Sequence, residues 1–144
     1  MKKVSDIFLH KERKITAVPP ATSVLEALQI MSFQNIGSVM VMENQEYLGI
    51  MTERDYSRKV ILKGKHSTTT LVAEIMSTDL PSVFPEDSIE HCMELMTSNG
   101  IRYMPVFENN RLTGIISMSD VVKDTILSQK ETNLKQEFIK VPLT

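Results

Sequence analysis

The feature that most constrains this chain is an internal repeat. Displacing the sequence by 65 positions brings residues 20–56 onto 85–121 without a gap. Identities recur along the overlap: Pro20 with Pro85, Ser23 with Ser88, Met31 with Met96, Ile36 with Ile101, Val41 with Val106, Gly49-Ile50 with Gly114-Ile115, and Asp55 with Asp120. Conservative pairs, such as Val24 with Ile89 and Thr52 with Ser117, fill the intervals. Self-similarity at a fixed period marks a supersecondary unit that buries its apolar face against a copy of itself. The period is long for a solenoid and short for two domains with separate cores, so two fused copies packed on each other are expected.

Each copy reads in the same order. Ser23-x-x-Glu26, and the looser Ser88 with Glu90-His91, are helix starts. Val24, Leu28 and Met31, then Ile89, Met93 and Met96, recur at helical spacing as the buried face, and Asn35 or Asn99-Gly100 supplies the stop. A strand follows at 38–42 or 103–107, then a polar turn at Glu43-Asn44-Gln45 or Glu108-Asn109-Asn110, then a return strand through Gly49 or Gly114. A second helix begins near Thr52 or Ser117; in the first copy it is expected to run through Arg58 to Leu62 and end at Gly64. With short strands at 15–18 and 82–84, each unit is β-α-β-β-α, an α/β (α+β) module with pseudo-twofold symmetry. The expected division is 1–64 for the first copy, a linker at 65–70, 71–128 for the second, and a tail at 129–144, either a short docking helix or disordered.

Composition removes several classes of function. A formal net charge of −2 and a pI of about 5.9 give no general attraction to nucleic acid or to anionic membranes. No stretch approaches the ~20 apolar residues of a spanning helix, and the first fourteen residues lack the apolar core of a signal peptide, so a cytoplasmic protein is expected. The single cysteine, Cys92, has no internal disulfide partner and falls at an apolar position of a helix. Histidines 10, 66 and 91 are too scattered for a metal set, and the ten methionines read as core. No glycine pattern builds a phosphate loop, and no nucleophile stands beside an evident base. Neither an enzyme nor a catalytic cofactor is expected.

The chemistry-bearing element is the strand-to-helix junction Gly49-Ile50-Met51-Thr52-Glu53-Arg54-Asp55, repeated as Gly114-Ile115-Ile116-Ser117-Met118-Ser119-Asp120. A hydroxyl at a helix N-terminus can help hold a phosphate, and a carboxylate one turn later can accept both hydroxyls of a ribose. The same spacing is also a capping box, which needs no ligand. Arg54, Arg58, Lys59, Lys63 and Lys65 form a dense basic run in which 54 and 58 share one helix face and 59 and 63 another; Arg54 is the candidate phosphate ligand.

These junctions, their hairpins, and Ile101-Arg102-Tyr103-Met104-Pro105-Val106 resemble the CBS domain, named for cystathionine β-synthase, over roughly residues 4–127. The run from Thr52 to Val60, followed by Leu62-Lys63-Gly64, is similar to that of small stand-alone bacterial CBS-pair proteins. The resemblance implies a tandem pair with an adenine-nucleotide cleft between the repeats. AMP, ADP, ATP, NAD(H) and S-adenosylmethionine are its typical ligands, acting as regulators and not as catalytic cofactors. It implies one site with Asp120 on the ribose, Ser117 and Arg102 on phosphate and the backbone near Ser82-Val83 on adenine. A second site would use Thr52 and Asp55, with Thr16, Ala17 and Val18 as the adenine wall. In that second site Gly37 replaces the basic residue and Met40 stands where the other copy has Pro105. The resemblance also implies a homodimer assembled through the helices, with a protein partner downstream. The alternative is a ligand-free interaction module whose junctions are only caps.

Overall fold

The computed structural model describes residues 2–11 and 15–140, the last four of these by their backbone, and the two copies are built alike. The first contains α1 (Val4–Leu9), β1 (Ala17–Val18), α2 (Val24–Gln34), β2 (Ser38–Glu43), β3 (Glu46–Thr52) and α3 (Glu53–Tyr56), which continues as a π-helical turn over Ser57–Ile61. The second contains α4 (Val72–Ile75), α5 (Ile89–Asn99), β4 (Tyr103–Glu108), β5 (Arg111–Ser117) and α6 (Met118–Lys140). The tail is therefore helical through Lys140, and its last four residues lie outside the described residues.

Local chemistry accounts for the boundaries. Ser23 and Ser88 each accept a backbone N–H three residues on, at 3.1 Å, capping α2 and α5. Both helices end in a left-handed residue, Asn35 at φ 54° and Gly100 at φ 61°. Each hairpin turns on two residues of positive φ, Asn44-Gln45 and Asn109-Asn110, the signature of a two-residue type I′ loop. Both hairpins carry a register shift at equivalent places, after Val41 and after Val106.

The first sheet has the order β1-β2-β3, with β1 parallel and β3 antiparallel to β2. In the second, β4 pairs with β5, and the expected strand at 82–84 shrinks to a single parallel bridge from Val83 to Val106, the counterpart of Val18 beside Val41. The strand expected at 15–18 likewise reduces to Ala17–Val18. The helical face of α5 also differs from the spacing expected. Cys92 is fully buried with Ile89 and Met96, whereas Met93 is 44% exposed, because Cys92 and not Met93 points at the sheet.

The leading helices cross over. Val4, Ile7 and Phe8 of α1 join the core around Val83, Met96, Met104 and Ile116, while Val72 and Ile75 of α4 join the core around Val18, Val24, Met31 and Val39. The exchange is reciprocal in its hydrogen bonds. Val4 N donates to Asp87 O at 2.9 Å and Val72 N to Thr22 O at 2.8 Å; Ile89 N donates to Lys2 O at 3.0 Å and Val24 N to Thr70 O at 2.8 Å. Each repeated glycine makes room for the incoming segment. A Cβ at Gly114 would lie 2.9 Å from the Phe8 ring, and one at Gly49 would lie 2.7 Å from the Ser77 carbonyl. Each fully buried aliphatic side chain in these cores contributes about 1.5–3 kcal/mol, so the crossover binds the copies into one folding unit.

Candidate functional site

Both junctions form the reciprocal capping box. Thr52 N donates to Asp55 Oδ2 at 2.9 Å and Asp55 N to Thr52 Oγ1 at 3.1 Å; Ser117 N donates to Asp120 Oδ2 at 2.9 Å and Asp120 N to Ser117 Oγ at 3.1 Å. Beyond this shared frame the two carboxylates live in different surroundings.

Asp55 is buried and its acceptors are filled. Oδ2 also takes the Thr52 hydroxyl at 3.1 Å, while Oδ1 takes Ser77 Oγ at 2.9 Å and pairs with Lys59 Nζ at 3.0 Å. A carboxylate offers about four lone-pair positions, and all are engaged. Asp120 has a side chain 15% exposed, and its Oδ2 takes, besides Ser117 N, the ammonium of Lys11 at 2.5 Å. Among the described residues, Oδ1 of Asp120 has no hydrogen-bond partner.

The clefts above these carboxylates are assembled across the repeats. Thr52, Asp55 and Ser77 face Leu80, Ile101, Arg102 and Tyr103 in a cleft of about 270 Å³. Ser117 and Asp120 face Ile15, Thr16, Gly37 and Ser38 in a cleft of about 600 Å³, with Lys11 and Lys123 at its sides and Phe33, 91% exposed, at its lip. Arg102 thus shares a cleft with Asp55 and Thr16 one with Asp120, while a further cleft of about 640 Å³ brings Arg102 together with Ser117 and Lys123. The physical reason is that the two sheets touch along β3 and β5, so each junction opens toward the opposite copy.

The remaining candidates are dispersed. Val83 is fully buried, its N–H donating to Pro105 O at 3.1 Å and its carbonyl accepting from Phe107 N at 3.0 Å, so neither backbone group is open to a base. Ser82 is exposed and Pro105 buried, and neither lines either cleft. Val18 lies in the first core, while Thr16 Oγ1 donates to Gln34 Oε1 at 2.6 Å on the wall of the Asp120 cleft. Arg54 lines the smaller cleft but donates from Nη1 to Gly100 O at 2.6 Å, closing the last turn of α5. Lys59 turns inward to Asp55 and to Ile75 O at 2.9 Å, leaving Arg58 exposed.

Tyr103 divides the two clefts. It lines both, and its hydroxyl sits so close to Gly37 that a Cβ there would lie 2.2 Å from it. Burial pushes its phenol pKa up, with Glu53 and Asp120 adding to the rise and Arg102 opposing it, so charges from both clefts act on this one ring. Sequence reasoning passed over Tyr103, Ser77 and Lys11. The pairing of Tyr103 with Ser38 and of Gly37 with Arg102 across the repeat was the available signal for the first; Ser77 and Lys11 lie outside the gapless match.

The fold and paired junctions agree with the comparisons. The CBS domain family profile matches residues 4–61 and 72–125, and the chain belongs to that family as a tandem pair. It is similar to the CBS domain-containing protein YhcV of Bacillus subtilis, 32% identical over 88% of this chain and 92% of that one. It is also similar to the mitochondrial CBS domain-containing protein CBSX3 of Arabidopsis thaliana, 38% identical over 76% of this chain, which spans 55% of that relative's length. A solved protein with CBS domains from Burkholderia ambifaria MC40-6 superposes with a TM-score of 0.86 at 37% identity, covering 89% of this chain and 96% of that one. A more distant CBS domain pair, solved in complex with 5′-methylthioadenosine and S-adenosylmethionine, shares the fold at 21% identity and a TM-score of 0.77, over 90% of this chain and 98% of that one. Among the described residues no helix is long and apolar enough to cross a membrane, and no group of three or more His, Cys, Asp or Glu could hold a metal ion.

Proposed function

We propose that this chain is a regulatory module that binds an adenine nucleotide in the α6 cleft lined by Asp120 and Thr16 and passes on its occupancy through a change in the repeats or in their assembly. The observation that carries this reading is Asp120: a carboxylate with one oxygen unpartnered among the described residues, lining a cleft built by both copies. About 600 Å³ falls within the usual ~300–1,000 Å³ of small-molecule sites. Ser117 opens a 23-residue helix there, favourable to a nearby phosphate. That a distant CBS pair was solved with adenosyl ligands supports an adenine-bearing ligand class. Because the cleft is shared between copies, a ligand that prefers one arrangement of them shifts the population toward it.

Assembly as a homodimer through the helices belongs to the same proposal. Val122, Ile126 and Leu127 of α6 are each about half exposed and Leu134 is 65% exposed, an apolar run suited to a second copy. Size-exclusion chromatography with light scattering tests this part.

A thermal-shift screen with adenosine, AMP, ATP, NAD, NADH and S-adenosylmethionine tests the ligand reading. A ligand at ~100 times its dissociation constant adds about 2.7 kcal/mol to the native state. Stabilisation that disappears in Asp120→Ala, with the fold retained, is the expected result. No shift with any of these in folded, nucleotide-free protein would favour a ligand-free interaction module.

A further inference from the structure

We propose that Lys11 is the phosphate-binding residue of the α6 cleft, held on Asp120 until a ribose claims that carboxylate; the inference rests on the nucleotide reading of the cleft. Lys11 Nζ lies 2.5 Å from Asp120 Oδ2 and 2.8 Å from Ile115 O. Its side chain is 29% exposed, so the pair sits at the edge of the cleft and not deep in the core. Oδ2 already carries two donors, Lys11 Nζ and Ser117 N. A ribose diol bridging both carboxylate oxygens therefore competes with the ammonium for Oδ2, while Oδ1, unpartnered among the described residues, can take the other hydroxyl.

Lysine is suited to such an exchange. Its ammonium is a compact charge on a flexible four-carbon stem, so it can leave one oxygen for another a few ångströms away without moving the backbone. The charge balance sets where it goes. Among the described residues, the charged ones lining the cleft are Lys11, Lys123 and Asp120, a net charge of +1. Once the diol occupies Asp120, the freed ammonium and Lys123 face the ligand, and a phosphate ester on the same ribose is the group that pairs with them. The ligand class is then an anionic nucleoside phosphate. A neutral nucleoside leaves the cation unpaired, and a cationic sulfonium nucleoside meets like charge.

Isothermal titration calorimetry at low ionic strength with adenosine, AMP and S-adenosylmethionine tests the exchange on the wild-type chain and on Lys11→Met, Lys11→Arg and Asp120→Asn. AMP should bind at least ten-fold more tightly than adenosine to the wild type. Lys11→Met should erase that preference by weakening AMP about ten-fold while leaving adenosine equal or tighter, because Asp120 is released. Lys11→Arg should restore the preference. A merely structural lysine would weaken both ligands together, and that result, an unchanged AMP-to-adenosine ratio in Lys11→Met, or tighter binding of S-adenosylmethionine than of AMP, overturns the assignment. Asp120→Asn should weaken adenosine and AMP alike; if it leaves both unchanged, or if no adenosine compound binds the wild type, the nucleotide reading itself falls and this inference with it.

Discussion

One turn after Asp55 the chain places Lys59; one turn after Asp120, at the matching position, it places Asp124. The first junction therefore neutralises its own carboxylate, within one helix and with Ser77 as a further donor. The second has two acids stacked on α6 and takes its cations from the far end of the chain, Lys2 to Asp124 at 3.2 Å and Lys11 to Asp120. Two junctions of one pattern thus differ by what surrounds them, one closed into a structural network and the other paired with a distant lysine, with one carboxylate oxygen unpartnered among the described residues. The lesson is that a formed capping box does not by itself use up its carboxylate. Both boxes here are formed, and the capacity left on the carboxylate separates them.

Removing each carboxylate is the sharpest way to break this comparison. Asp55→Ala leaves the Ser77 hydroxyl, the Thr52 N–H and the Lys59 ammonium without their common acceptor, and about 3 kcal/mol of stability should be lost, with Lys59 partly compensated by water. Asp120→Ala loses a cap and a partly exposed ion pair, about 1–2 kcal/mol. Urea unfolding of both variants without ligand measures the difference. Equal losses would mean that Asp120 is as structural as Asp55.

The second contrast is in titration. Where α2 has Ala27, α5 has Cys92, fully buried, with its thiol pushed up from 9.0 to about 11 chiefly by burial and next by Asp87. Between those values the unfolded chain has released the proton and the folded chain keeps it, so the native state binds more protons and stability falls as pH rises. The loss begins near pH 9 and reaches about 2 kcal/mol by pH 11. Tyr47, raised from 10.0 to about 12 by burial, adds its own loss only above pH 10. Cys92→Ala, which makes α5 like α2, should flatten the melting temperature between pH 9 and 10. A slope unchanged by the substitution would place the alkaline sensitivity elsewhere.

The wall between the clefts gives a smaller effect. Gly37→Ala drives a methyl into the Tyr103 hydroxyl and should cost about 1–3 kcal/mol by overpacking. Tyr103→Ser, which copies Ser38 of the other repeat, should abolish that penalty in a double-mutant cycle. Additive losses would show that the backbone at Gly37, and not the ring, refuses the side chain.

Much of this architecture is legible in the sequence because its signals are local. Caps at Ser23 and Ser88, left-handed stops at Asn35 and Gly100, and paired turn residues need only neighbours a few positions away. The replacement of Lys59 by Asp124 was visible in the same alignment and is the clearest sign that the two junctions differ. The crossover was not visible, because the leading helices correspond at another displacement: Lys3 bridges Ser88 as Leu71 bridges Ser23, a shift of 68. Lys11 falls where the correspondence breaks, and it meets Asp120 across 109 residues. Contacts of that range are decided by packing of the two sheets and leave no periodic trace.

The hairpins supply the finest comparison. Matching turn residues have nearly the same φ, Asn44 and Asn109 at 52°, Gln45 at 66° and Asn110 at 63°, but only the first hairpin puts a glutamine in the left-handed region. Asparagine tolerates that region through local hydrogen bonding of its short side chain, whereas glutamine meets the full steric cost of its Cβ. Gln45→Gly should therefore raise stability by about 0.5–1 kcal/mol in urea unfolding, while Asn110→Gly should change it by no more than a few tenths, since the gain in backbone freedom is offset by the entropy glycine loses on folding. Equal gains at the two turns would mean that asparagine is no better suited than glutamine here, and that the hairpins, unlike the junctions, are interchangeable.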